Sequence, residues 1–187
     1  MAGAHRMWGH NEDAQPIEAN RTYLVEARVG GFGWVGFAYA PHVVGWAYGI
    51  NAHGLGQSIN ALSPLNVTLG AGINFLARDV LNAASLNDAA TRACAAPAAS
   101  GQNLNVGSVH EPGRQLLIET SPVGCSVREL KPPPTGLERA DRAIGSPTLG
   151  ASAGGRSRER RGTLVHCNLY ESTELAGLDG GPAHQPS

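Results

Sequence analysis

Polar residues that could take part in catalysis or binding follow one another near the start of the chain. The run from Gly9 to Asp13 reads GHNED, and His5 lies close to it in sequence. These residue types fit either a solvated polar turn or a weak metal site. The spacing suits neither one helix face nor a hairpin, so the residues alone favour a turn over a metal site.

Two asparagines lie in otherwise apolar segments, where a buried amide needs a partner. Asn60 falls within Leu55 to Leu62, and Asn168 falls within Thr163 to Tyr170. Asparagine is disfavoured in strands, so each side chain either makes a structural hydrogen bond to a neighbouring loop or donates to a substrate. Both interpretations stay open on these residues alone.

The cysteines offer a second kind of chemistry. Cys167 follows His166 directly, but consecutive side chains of a strand point to opposite faces, so His166 is poorly placed as its base. With Cys94 and Cys125 the chain has 3 cysteines, an odd number at wide spacing, which argues against a disulfide framework or a zinc cluster. We therefore expect reduced thiols.

The global charge of the chain is nearly balanced, with 14 Lys plus Arg against 15 Asp plus Glu. Such a balance gives no general attraction to nucleic acid or to an anionic membrane, so we expect neither as a partner. No apolar run is long enough to span a bilayer, and the first residues lack a signal-peptide pattern. We expect a cytoplasmic protein, and the oligomeric state is not predicted.

The elements that must position these residues begin with strands. A two-residue period predicts a strand from Thr22 to Val29. Aromatic and β-branched residues predict three more strands before a helical region, together an antiparallel meander. These strands are Trp34 to Ala40, Val43 to Ile50 and Leu55 to Leu62, with a polar turn at residues 51–54.

Helices and a hairpin follow. Apolar residues at helical spacing predict a helix from Ile73 to Ala84, and Ser85 with Asp88 predicts the N-terminal cap of a second helix. Leu104 to His110 and Arg114 to Thr120 flank a Glu-Pro-Gly turn signal, which predicts a hairpin. Strands, then helices, then strands predict an α+β fold.

Composition divides the chain into four parts. We expect residues 1–130 to form the core and residues 163–175 to add a final strand. Pro, Gly, Ser and Arg crowd residues 131–162, which we expect to be a disordered insertion, and residues 176–187 a disordered tail.

Aromatic residues raise one further alternative. Trp8, Trp34, Trp46 and Tyr48 could line a pocket for an aromatic amine. Such residues belong more often to a core or a sheet face, which is the interpretation we favour.

Four stretches, taken in order, resemble peptidase family C45, the acyl-CoA:6-aminopenicillanic acid acyltransferase family of N-terminal-nucleophile (Ntn) hydrolases. They are Gly9 to Asp13, Gly49 to Leu62, Asn74 to Ala93 and Val165 to Asn168. The resemblance implies an Ntn-hydrolase-like four-layer αββα sandwich, incomplete at both ends. It also implies cleavage or transfer of the acyl group of a small N-acyl amine, such as a β-alanyl conjugate, with no metal or organic cofactor.

The resemblance also implies roles for single residues. In Ntn enzymes the nucleophile is the first residue of the mature chain, and its α-amino group, with a pKa of about 8, acts as general base. Asp13 would orient that amine, and Asn60 and Asn168 would stabilise the oxyanion. His10 and Asn11 would contact the substrate, although His10 stands where related bile-salt hydrolases carry an Arg.

The nucleophile itself has no match. In the family it is a Cys upstream of the first motif, whereas no Cys, Ser or Thr precedes Thr22 here. A later catalytic Arg also lacks a counterpart. We therefore expect the chain as given to be inactive, a truncated isoform of an active enzyme. The alternatives are a non-catalytic binding protein that keeps the acyl-amine pocket, and a non-functional fragment.

Overall fold

A computed structural model of the protein describes residues 8–12 and 15–130. Asp13, Cys167, Asn168 and the parts predicted for residues 131–187 lie outside the described residues. The described residues form one seven-stranded antiparallel sheet and two α-helices. No helix among them combines the length and the apolar character needed to cross a bilayer. This architecture agrees with the predicted α+β class.

The strands neighbour one another in the sheet in chain order, which confirms the predicted meander. Their bounds are β1 Thr22–Val29, β2 Phe32–Tyr39, β3 Tyr48–Asn51, β4 Leu55–Leu62, β5 Gly101–Ser108, β6 Gln115–Ser121 and β7 Gly124–Leu130. A short 3-10 helix, Pro16–Glu18, precedes β1.

The structure corrects the third predicted strand and adds one strand, β7, that was not predicted. The third is shorter than expected because residues 43–47 form a loop in which Gly45 has a φ of 97°, a conformation that favours glycine. The seventh was missed because GCSVREL alternates poorly and lies exposed at the sheet edge. Antiparallel pairing with β6 stabilises this segment as a strand, although its composition does not predict one.

Both helices lie between β4 and β5 in the chain, as α1 Ile73–Val80 and α2 Leu86–Ala93. The predicted cap is confirmed, because Ser85 Oγ accepts a hydrogen bond of 3.1 Å from the Asp88 backbone N–H. The first helix ends earlier than predicted. Asn51 Nδ2 donates to the carbonyl oxygens of Leu81, at 3.0 Å, and Ala83, at 2.8 Å. These carbonyl groups follow the end of α1 and so gain a hydrogen-bond partner outside the helix.

The hydrophobic core lies between the helices and strands β4 to β6. Burying a Leu or Ile side chain stabilises the folded state by roughly 1.5–3 kcal/mol, so this layer holds the helices on the sheet. The cluster comprises Leu55, Ile59, Ala77, Val80, Ala83, Leu86, Ala89, Ala93, Leu104, Val106, Leu116 and Ile118.

A disulfide joins Cys94, the C-cap of α2, to Cys125 in β7, with the Cα atoms 5.6 Å apart. The expectation of reduced thiols is therefore wrong for this pair. The wide spacing of the cysteines in sequence does not predict this disulfide, because Cys125 reaches the C-terminal end of α2 only when β7 has joined the sheet.

Candidate active site

The sheet face opposite the helices carries a group of polar side chains. Leu55, Ile59 and Leu104 point toward the helices, so alternation directs their neighbours to the other face. Register pairs Asn60 with Asn103 and Ser58 with Asn105 across β4 and β5. We call this surface, defined by Ser58, Asn60, Asn103 and Asn105, the polar face.

One hydrogen bond fixes the orientation of the Asn60 amide. Asn105 Nδ2 donates to Asn60 Oδ1 at 3.1 Å. Among the described residues none accepts a hydrogen bond from Asn60 Nδ2. The half-buried Asn60 therefore retains its N–H donors for another group.

Asn60 lines a cavity of about 260 Å³ at the end of β4. The cavity brings together three residues to which the family resemblance assigns a role, His10, Asn11 and Asn60. Its lining residues are His10, Asn11, Glu12, Gln15, Glu18, Tyr39, His42, Trp46, Ala47, Ile59, Asn60 and Ala61. We call it the small cavity.

Glu12 holds two of its neighbours in place. His10 Nε2 lies 2.8 Å from Glu12 Oε2, and the His10 ring lies 5.8 Å from that of Tyr48. Burial raises the pKa of the Tyr39 hydroxyl above its ordinary value, and the Glu12 carboxylate raises it further. Tyr39 thus stays protonated and can donate to a carboxylate or a ligand oxygen.

A second acid and histidine pair closes the other side of the small cavity. His42 Nε2 lies 3.0 Å from Glu18 Oε1, and Asn74 Nδ2 lies 3.4 Å from His42 Nδ1. Glu18 Oε2 also accepts a hydrogen bond of 2.9 Å from the Gln15 backbone N–H. These contacts tie the segment before β1 to α1, and so shape the cavity wall.

A larger, mainly apolar cavity of about 790 Å³ adjoins the small one and shares His10 with it. Trp8 covers it in part, with Trp8 Nε1 donating to Ser58 Oγ at 3.2 Å. Stacked rings of Phe37 and Tyr48, 5.0 Å apart, form another part of its wall. We call it the large cavity.

The aromatic residues divide between core and cavities. Trp34 is 7% exposed, and the Arg78 guanidinium lies 4.1 Å from its ring centroid on the helix side, as the core interpretation predicted. Trp8 and Tyr48 instead line the large cavity, and Trp46 lines the small one. Trp8 and Tyr48 are thus not core residues, since they are 44% and 37% exposed, but Tyr48 in β3 still fits the sheet-face interpretation.

Several residues of this site are not predicted from the sequence. Asn103 and Asn105 alternate with apolar residues in β5, so the two-residue period would have placed them on one face. Tyr39 and His42 carried no such signal, because Tyr39 ends β2 and His42 lies in the loop that joins β2 to β3. No group of three or more His, Cys, Asp or Glu within the described residues could hold a metal ion.

A known protein family matches the first part of the chain. The acyl-coenzyme A:6-aminopenicillanic acid acyl-transferase family matches residues 1–134, more than half of the 187-residue chain. The matched range includes every described residue that lines the two cavities. No curated protein sequence matches the chain. The chain belongs to the acyl-coenzyme A:6-aminopenicillanic acid acyl-transferase family.

Proposed function

We propose that this site serves the hydrolysis or transfer of the acyl group of a small N-acyl amine. One observation carries the proposal: His10, Asn11 and Asn60, from two segments far apart in sequence, line one cavity. Family membership supports acyl transfer as the class of reaction. β-Alanyl conjugates are the substrates we would test first.

Asn60 would act on the carbonyl oxygen of the scissile amide. That oxygen gains negative charge when a nucleophile attacks, and a fixed N–H donor lowers the energy of the charged state. Asn105 holds Asn60 Oδ1, which leaves Nδ2 as the donor. Losing one such donor typically slows acyl transfer by roughly 100-fold or more.

The other roles follow from the family resemblance. Asp13 would orient the α-amino group of an N-terminal nucleophile, and Asn168 would give a second donor to the oxyanion. Both residues lie outside the described ones. His10, held by Glu12, and Asn11 would contact the substrate where the two cavities meet.

We extend the proposal to the fold. A second sheet with its own helices, packed on the polar face, would complete the four-layer αββα sandwich. Large apolar side chains near the large cavity support such packing, because Leu24, Val35 and Ile50 are 68%, 40% and 46% exposed.

We also propose that the purified chain binds N-acyl amines at this site. The test incubates the purified chain with the β-alanyl and acetyl amides of 2-phenylethylamine. Binding is measured by calorimetry, and free amine is assayed in parallel. We expect measurable binding that Asn60→Ala weakens and the remote Asn87→Ala leaves unchanged. Absence of binding would overturn the site.

A second candidate is a protein that binds N-acyl amines and has no catalytic form, because the small cavity and the oriented Asn60 amide suffice for binding alone. The two candidates differ in a form extended upstream by a segment that begins with Cys. An acyltransferase gains activity in that form, and Asp13→Ala abolishes it. A binding protein gains none.

A further inference from the structure

Asn103 has a buried amide without a partner. Its side chain is 0% exposed, and neither Nδ2 nor Oδ1 has a hydrogen-bond partner among the described residues. Buried polar atoms nearly always have a hydrogen-bond partner, because an unpaired one loses its hydrogen bonds to water and gains none in the protein. Gln102 is buried and unpartnered among the described residues in the same way, so the missing partner alone does not mark a binding site, and the position of Asn103 decides.

A structural asparagine of the same chain shows the contrast. Asn51 is also buried, and its Nδ2 donates to two carbonyl oxygens, those of Leu81 and Ala83. Its Oδ1 accepts from the backbone N–H groups of His53, at 2.9 Å, and Leu55, at 3.1 Å. Asn51 thus uses its full hydrogen-bonding capacity within the fold, whereas Asn103 uses none of it among the described residues.

The position of Asn103 connects it with the proposed site. It lies directly opposite Asn60 across β4 and β5, on the polar face. Side chains paired in this way have Cβ atoms about 5 Å apart, so both amides can reach one group placed between them. Asn105, which orients Asn60, also has a buried Oδ1 without a partner among the described residues.

We propose that Asn103 is a further substrate-contacting residue of this site, an inference that rests on the proposed function. Its Nδ2 donates to the carbonyl oxygen of the substrate amide, beside the donor of Asn60. A secondary amide and an ester of the same shape both supply this carbonyl oxygen. The ester oxygen is the weaker hydrogen-bond acceptor.

The test compares binding and stability in two matched variants. Asn103→Leu removes the amide at similar volume, and Asn51→Leu makes the same change at a structural asparagine. Binding of the acetyl amide of 2-phenylethylamine and of 2-phenylethyl acetate is measured by calorimetry on the full chain. Asn103→Ala, which adds no volume, is measured in parallel in case the leucine packs poorly.

We expect Asn103→Leu to weaken binding of the amide by about tenfold and of the ester by less, with Tm unchanged or raised. Asn51→Leu should lower Tm by roughly 5 °C or more. Unchanged amide binding in both Asn103 variants would overturn the inference, as would a loss of Tm in both variants as large as that of Asn51→Leu. If the unaltered chain binds no amide, the proposed function fails and the role of Asn103 fails with it.

Discussion

Asn105 Nδ2 donates a hydrogen bond of 3.1 Å to Asn60 Oδ1 across strands β4 and β5. An amide held by its oxygen presents its N–H groups, so this bond decides which end of Asn60 is free to meet a ligand. It gives Asn105 a positioning role without requiring contact with the substrate.

Replacing Asn105 with aspartate should reverse the Asn60 amide. A carboxylate accepts hydrogen bonds and does not donate, so Asn60 would turn its Nδ2 toward Asp and its oxygen toward the cavity. We expect Asn105→Asp to weaken N-acyl amine binding by at least about tenfold. Calorimetry measures the effect, and Asn87→Asp makes the same change on an exposed part of α2 as control. Equal binding by both variants would contradict the positioning role.

Two glycines beneath Trp8 give a matched pair for testing the large cavity. A Cβ at Gly107 would lie 2.5 Å from Trp8 Cζ3, whereas a Cβ at Gly56 would lie 3.8 Å from it. Gly107→Ala should therefore displace the indole and break its hydrogen bond to Ser58, while Gly56→Ala is tolerated.

The readout is ¹⁹F NMR of protein labelled with 5-fluorotryptophan. The chain has 3 tryptophans, and each gives one resonance. We expect one resonance to shift strongly in Gly107→Ala and little change in Gly56→Ala. Similar spectra for both variants would show that Trp8 does not pack on Gly107.

The Cys94–Cys125 disulfide should stabilise the fold. It closes a loop with a sequence separation of 31 residues, for which chain entropy predicts about 3–4 kcal/mol of unfolding free energy. The double variant Cys94→Ser, Cys125→Ser should lower the unfolding free energy by this amount in urea melts. Reductant should lower the unfolding free energy of the unaltered chain and leave that of the double variant unchanged. No effect of reductant on the unaltered chain would exclude the bond.

Asp88 should make stability depend on acid pH. The Ala84 backbone N–H donates to its Oδ2 at 2.9 Å, which lowers the pKa of the carboxyl below its ordinary 3.8, and Arg92 lowers it further. The carboxylate therefore stabilises the fold above pH 3.8, and this stability is lost as pH falls through the lower folded pKa.

Urea melts at pH 7 and near pH 3 measure this contribution. Asp88→Asn should be less stable at pH 7 and lose less stability on acidification than the unaltered chain. Ser85→Ala removes an uncharged cap and should cost about 1 kcal/mol at both pH values. An unchanged acid profile in Asp88→Asn would refute the role of the carboxylate.

Local patterns predicted much of the fold. The bounds of β1 and β4 match the predicted strands, since each alternates along an uninterrupted run, and the Ser85 cap is a local hydrogen bond. The strand β7 and the disulfide it carries were not predictable in this way. Both depend on pairing with β6, which no local window contains.

The candidate site was predictable where the family motifs name its residues. His10, Asn11 and Asn60 were predicted and line the small cavity, but their roles stay predictions. Asn103 and Asn105 belong to no motif, and register across β4 and β5 brings them beside Asn60. Residue types alone indicate neither that register nor the orientation of an amide.

The most direct test of the site is the Asn60 side-chain amide itself. Its ¹H–¹⁵N resonance pair can be assigned by its loss in Asn60→Ala and followed while the acetyl amide of 2-phenylethylamine is added. We predict a saturable downfield shift of this pair, because Nδ2 donates to the carbonyl oxygen of the ligand, with the Asn87 pair unmoved. An Asn60 pair that stays in place while the ligand binds would contradict the assigned site.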